Sequence, residues 1–124
     1  MAADGRRALG ALSEDIAVRF LRDRGYEILE RNVRTRWGEL DIVARDAAEF
    51  VFVEVKARRA GALTSPLESV NPQKVRRLVR LAQAYVTARD QGDPPWRIDV
   101  VAIVVGDDGR MQDLTHIANA VDIS

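Results

Sequence analysis

Two runs decide the fold of this chain: Gly38-Glu39-Leu40-Asp41-Ile42-Val43-Ala44-Arg45 and Phe50-Val51-Phe52-Val53-Glu54-Val55-Lys56-Ala57-Arg58, with the polar break Asp46-Ala47-Ala48-Glu49 between them. Both are rich in β-formers, and the second is apolar on both faces as far as Glu54, as in a strand buried inside a sheet. The short break makes the two a hairpin. With the turn centred on Ala47 and Ala48, paired positions sum to 95, so Asp41 is expected opposite Glu54 and Glu39 opposite Lys56. Side chains alternate along a strand and directly opposed residues face the same way. Glu39, Asp41, Glu54 and Lys56 are therefore expected on one side of the sheet, with opposed Cβ atoms roughly 5 Å apart. A slip of one residue in the turn would send one set to the other face.

Such an arrangement is costly. Like charges directly opposite one another destabilise a sheet, and two close carboxylates push one pKa up unless a cation sits between them. A hard divalent cation removes the conflict. Mg²⁺, with Mn²⁺ as the alternative, prefers oxygen donors and keeps waters for chemistry. Lys56, two residues beyond Glu54, then lies beside that water. The competing reading is a surface hairpin with interleaved charges, and an Asp…Glu-x-Lys spacing alone is a weak signal. Two features favour the site. The charges sit in a strand otherwise fit for burial, where lone charges are expensive, and an upstream helix brings Glu14 to the edge of its apolar stripe.

That helix is expected over Ala8–Arg24. Leu9, Leu12, Ile16 and Phe20 share a face, Asp15 points to solvent, and Gly25 ends it. Residues 1–7 are expected to be a flexible N-terminal tail, with residues 8–124 forming a single domain. Tyr26–Val33 is a first strand. Ala60–Ser69 is a loop, and Asn71-Pro72 starts a second helix, with Asn as cap and Pro in the first turn, that runs to about Arg89. Val75, Leu78, Val79, Ala82, Tyr85 and Val86 form its buried stripe. Arg97–Val105 is an apolar, central strand. Beyond the Asp107-Asp108-Gly109 turn, a short strand or irregular segment leads to the end. The order α-β-β-β-α-β, with a helix between the third and fourth strands, predicts a crossover and a mixed α/β sheet flanked by helices.

Composition sets bounds. At 124 residues and 47% hydrophobic, the chain suits one domain with a real core. It has no cysteine, which excludes disulfides and thiolate metal sites. The longest apolar run, Val100–Val105, is far too short to span a membrane. Arg6 and Arg7 are not followed by the apolar run of a secretory signal, so a cytoplasmic location is expected. Net charge is zero, but Arg31–Arg80 holds 11 basic and 6 acidic residues against 8 and 13 elsewhere. A basic middle can face phosphates, although a solvated surface accounts for it equally well. Of 19 basic residues only Lys56 and Lys74 are lysine. Positions that keep lysine against that bias call for a compact ammonium rather than a planar fork.

The runs Gly38–Ala44 and Val51–Arg58 resemble the YraN-like proteins, small bacterial proteins with a restriction-endonuclease-like fold similar to archaeal Holliday-junction resolvases. The resemblance extends over most of the chain. It takes in Glu14-Asp15, Gly25-Tyr26, Arg31-Asn32, Lys74, Arg97–Val101 and Ile117–Ala120. Ser13 departs from it, since the family usually has Gly before the Glu. The resemblance implies a PD-(D/E)xK nuclease. Asp41 and Glu54, with the Val55 carbonyl, would bind the metal, and Glu14 would be an auxiliary ligand. Lys56 would orient or activate water, and Lys74 would contact a phosphate or support the site. It also implies DNA as substrate, branched or structured by analogy with resolvases, and a homodimer that cuts two strands symmetrically.

Other residues are weighed against plainer roles. Glu39 is either a support to the site or a partner for Lys56. Asp99, in an apolar strand, needs a partner if buried, and structure is the better reading for it. Arg31, Arg34, Arg36, Arg58 and Arg59 can hold DNA phosphates or simply be solvated. Trp37 can stack on a base, with packing the plainer role. His116 has no second His or Cys and is not expected to be a ligand. Two other functions stay open: a non-catalytic nucleic-acid-binding module on the same fold, and a protein-interaction domain.

Overall fold

The computed structural model describes residues 2–62, 72–89 and 92–120. Its elements are α1 (Ala2–Asp23), β1 (Glu27–Thr35), β2 (Gly38–Asp46), β3 (Glu49–Arg59), α2 (Pro72–Arg89), β4 (Trp96–Val105) and β5 (Met111–Ile117). The strands pair in sequence order. β3 and β4 are parallel, and the other neighbours are antiparallel. The parallel pair is the one whose connection contains a helix, as a crossover requires. The fold is thus the expected mixed α/β sheet, with one strand added, because the segment after Gly109 pairs along β4 rather than running irregularly. No helix among the described residues is long and apolar enough to cross a membrane.

α1 begins at Ala2 rather than Ala8, so the backbone of residues 2–7, expected as a tail, is helical. Its end is as expected. Gly25, at φ 92°, donates its N–H to the Arg22 carbonyl at 2.9 Å, and the Tyr26 N–H reaches Leu21 O at 3.0 Å. These are the two bonds of a Schellman stop, with glycine in the left-handed position. The Asn71 cap and residues 63–69 of the expected loop lie outside the described residues.

The two helices cover opposite faces. Leu40, Val43, Phe52 and Ile98 pack with Leu78, Leu81 and Tyr85 of α2. Ile42, Val51, Val53 and Val101 pack with Ala17, Val18 and Leu21 of α1. Burial on both faces is why β3 is apolar at consecutive positions.

The β2–β3 register follows the turn, from Asp46 opposite Glu49 to Ile42 opposite Val53. The facing of β2 does not follow simple alternation. Leu40 packs on the α2 side and Ile42 on the α1 side, although they are two residues apart. β1 breaks at the same level. Arg31 and Asn32 both reach Glu14 of α1, while Val33 packs on the α2 side. Arg31 pairs with Ile42 and Val33 with Leu40, so Asn32 and Asp41 face each other across the break. Asn32 is at φ 53°, a conformation asparagine tolerates better than most residues. The paired break turns Asp41 toward α1.

Gly38 sets the β1–β2 turn against α2. At φ 148°, a Cβ there would lie 3.1 Å from the Arg77 Cδ and 3.3 Å from the Leu81 Cδ1. Gly38→Val should cost about 1–3 kcal/mol, lowering the urea midpoint. An unchanged midpoint would show that the turn can lift from α2 freely.

Candidate active site

The site forms where β2 and β3 part. Their ladder stops at Ile42–Val53. One step further, the Val55 N–H donates to Asp41 Oδ2 at 2.9 Å, so a carboxylate takes a backbone donor at the edge of the ladder. The opening on the α1 side is a cavity of about 570 Å³, lined among others by Ser13, Glu14, Asn32, Glu39, Asp41 and Val55. Ser13 Oγ is buried and has no hydrogen-bond partner among the described residues.

Glu54 and Lys56 share the parity of Phe52, hence the α2 face. There the Lys56 and Lys74 ammonium nitrogens approach Glu54 Oε1 at 3.2 and 2.9 Å. Glu54 and Lys56 are both buried, at 7% and 8% exposure. Lys74 is brought to them by the first turn of α2.

Electrostatics tie the two sides together. Burial, and then the nearby charge of Glu54, push the Asp41 carboxyl up to about 7, against the Val55 N–H that favours its anion. Glu14 and Glu39 add to the rise. Burial and the adjoining Lys74 hold Lys56 below the usual ammonium range. Lys74 moves the other way. Burial opposes its charge, but Lys56 and Glu54 as hydrogen-bond partners outweigh it. In the lysine pair, Lys56 is therefore the one that gives up its proton more readily.

The expected residues are brought together only in part. Asp41, Glu54, Lys56 and Lys74 form one cluster through the sheet. Asp41 lines the cavity beside Val55, and Glu54 lies near enough to raise its carboxyl, so the two carboxylates come close at the opening between β2 and β3. Glu14 lines the Asp41 cavity, but its Oε1 accepts from Arg31 Nε at 3.0 Å and Asn32 Nδ2 at 2.9 Å. Asp15 is exposed, as expected, and pairs with Arg31 at 2.6 Å. Glu39 lies 3.9 Å from Arg34 and pairs with it, not with Lys56. Arg34 lines the cavity and is exposed. Arg36 instead stacks on Trp37 at 3.9 Å from the ring centroid, and Arg58 donates to the Ala57 carbonyl at 2.8 Å. Among the described residues no three His, Asp or Glu side chains converge as a ready-made cage for a cation.

Sequence reasoning missed a polar knot at the other end of the sheet. Asp99 is fully buried. It meets Arg97 Nε at 3.0 Å, His116 Nε2 at 2.8 Å, the Tyr26 hydroxyl at 3.3 Å and the Asn119 N–H at 2.9 Å. Arg97 continues to Glu49 and Asp46, which closes the β2–β3 turn onto β4. The expected need of Asp99 for a partner is met several times over. The signal for the rest was Arg97 two residues before Asp99, on the same face of one strand.

The family model described as "Uncharacterised protein family UPF0102" matches residues 13–103, which include every residue of the Asp41 cluster. A UPF0102 protein of Roseiflexus castenholzii is 47% identical over 120 residues, covering 95% of this chain and 97% of that protein. One of Marinobacter nauticus is 41% identical over 121 residues, 98% of each. One of Syntrophomonas wolfei is 44% identical over 114 residues, 92% of this chain and 97% of that protein. With matches this long at this identity, the chain belongs to the UPF0102 family, whose members are the YraN-like proteins its hairpin motif resembles.

Proposed function

We propose that the protein is a metal-dependent nuclease that hydrolyses phosphodiester bonds in DNA, on a restriction-endonuclease-like fold. The observation that carries this reading is the pair of carboxylates at the strand opening. Asp41 accepts the Val55 N–H at 2.9 Å beside an open cavity, and burial and then Glu54 push its carboxyl up to about 7. Such shifts, from burial plus a specific charged neighbour in a cleft, cluster at functional sites.

The donor set fits a hard divalent cation. Mg²⁺ is usually held by one or two carboxylates with several waters retained, not by a complete protein cage. Asp41 and Glu54, with the carbonyl of Val55, would hold it, and Glu14 would act from the cavity wall. Bound there, the cation would polarise the phosphate and lower the pKa of a bound water. The two lysines have separate tasks. The Lys56 amine, held below the usual ammonium range, takes a proton from the attacking water, and Lys74 beside it supplies the positive charge that the phosphorane needs. Arg34, exposed at the cavity rim, holds a neighbouring phosphate.

Lys56→Ala should lower the rate of duplex cleavage in Mg²⁺ about 10²–10⁴-fold. Lys56→Arg should fail to restore it, because a guanidinium keeps its proton. Rescue by arginine would mean that Lys56 acts only as a charge. A second reading, a non-catalytic nucleic-acid-binding module, is favoured by the engagement of Glu54 Oε1 with both lysines. Salt-sensitive DNA binding without cleavage would select it.

A further inference from the structure

On the face of α2 turned away from the core, a second feature stands outside the Asp41 cluster. Gln73, Arg76, Arg77 and Arg80 lie at helical spacing on one stripe and, with Trp37 from the β1–β2 turn, line a groove of about 500 Å³. All five are exposed. Among the described residues, no ion pair involves Arg76, Arg77 or Arg80, and no acidic side chain lines the groove. This contrasts with Arg31, Arg89 and Arg97, each of which is held by carboxylates.

Trp37 is 43% exposed, one of two large hydrophobic side chains so placed among the described residues. Its position is built. Thr35 Oγ1 accepts from the Trp37 N–H at 3.1 Å and donates to Gly38 O at 3.0 Å, and Gly38 lets the turn approach Arg77 closely. Arg36 stacks on the indole at 3.9 Å. A cation on the ring and three guanidiniums with no ion pair among the described residues form a surface for a planar group carrying anions on a chain. The stripe from Gln73 to Arg80 runs roughly 10 Å along the helix, more than one phosphate needs.

We propose that this groove binds an unpaired segment of a nucleic-acid strand, one base stacked on Trp37 and the flanking phosphates on Arg76, Arg77 and Arg80. A paired base is already stacked within its duplex and presents only its edge, so the indole selects an unstacked one. Lys74 lies one helical turn before Arg77 on α2 and contacts Glu54. A strand in the groove therefore leads toward the cluster. The inference rests on the nucleic-acid reading above and specifies the form of the substrate: a duplex with a single-stranded branch or end.

The test is a titration of the full chain, without divalent cation, with labelled oligothymidine and with a blunt duplex of equal length. Tryptophan fluorescence and anisotropy are followed together. Oligothymidine should quench the fluorescence. Trp37→Ala should abolish the quenching and weaken binding of the oligonucleotide at least about fivefold, with Trp37→Phe recovering most of the affinity. A variant with Arg76, Arg77 and Arg80 all changed to Gln should reduce the slope of log affinity against log salt by about 2, from roughly 0.7 for each phosphate contact to a single strand. Oligothymidine binding that leaves Trp37 unquenched, or that Trp37→Ala leaves within twofold, would overturn the proposal, as would absence of binding. The measurement is independent of cleavage. A protein that stacks the strand but never cuts keeps the groove and loses the nuclease, and one that cuts without engaging Trp37 does the reverse.

Discussion

Asp41→Asn is expected to raise the melting temperature of the metal-free protein at pH 8 while abolishing the proposed cleavage of DNA. The carboxyl of Asp41 is pushed from 3.8 to about 7 in the folded state, by burial and then by Glu54. A carboxyl whose folded pKa lies above its unfolded one binds its proton more tightly when folded. Its contribution to stability is therefore present below about pH 4 and lost as pH rises through 7. At pH 8 the wild type carries the full cost of an ionised Asp41, of the order of 1–3 kcal/mol. Asparagine keeps an oxygen to accept from the Val55 N–H but has no charge. The gain should be roughly 3–10 °C at pH 8 for a domain of this size and should vanish near pH 4. Added Mg²⁺ should stabilise the wild type and leave the variant unmoved, since binding to the native state alone raises stability. A lower melting temperature for Asp41→Asn at pH 8 would mean that the lysines already compensate the carboxylate and that its role is structural.

The largest loss of stability is expected at Asp99. The side chain is fully buried and accepts from Arg97, His116, Tyr26 and the Asn119 N–H. Asp99→Ala leaves these donors facing a void beside an uncompensated guanidinium. Breaking a buried pair by removing one partner typically costs about 3–5 kcal/mol. Because Asn119 and His116 follow and end β5, the loss should appear first as early hydrogen exchange in β5 and then as a global fall in the denaturant midpoint. Asp99→Asn, which keeps the shape and one acceptor, should lose less. A change below about 1 kcal/mol in Asp99→Ala would show that water or rearrangement replaces the network.

Periodicity carried most of the fold. The two-faced apolar pattern of Phe50–Val55 located the buried strand, and the Asp46–Glu49 break set the hairpin register that is observed. Pro72 and Gly25 marked helix ends correctly within the described residues. The break in β2 was not legible: Leu40 and Ile42, two residues apart, pack on opposite sides of the sheet, where simple alternation would put them on one. The helical backbone of residues 2–7 was hidden for a different reason: Ala2-Ala3-Asp4-Gly5-Arg6-Arg7 has no apolar stripe for a periodicity argument to find. The Trp37 groove escaped notice because its parts come from a turn and a helix that are far apart in sequence. Only the close approach at Gly38 brings them together.

The cluster was legible by residue type more than by geometry. Lysine at positions 56 and 74, against an arginine-rich background, pointed to two ammoniums with a special role, and both meet Glu54. Glu14, expected at the edge of its helix's apolar stripe, lines the cavity, but its partners Arg31 and Asn32 were not legible.

The most direct test of the central claim is cleavage of a panel of end-labelled DNAs in Mg²⁺ or Mn²⁺: single strands, blunt duplex, flaps and four-way junctions, with Asp41→Asn in parallel. The account predicts that the wild type cuts at least one branched or tailed substrate, leaving 5′-phosphate and 3′-hydroxyl ends, and that EDTA and Asp41→Asn each abolish the cutting. Cutting that persists in Asp41→Asn, or no cutting of any substrate by a folded protein that binds DNA, would contradict it.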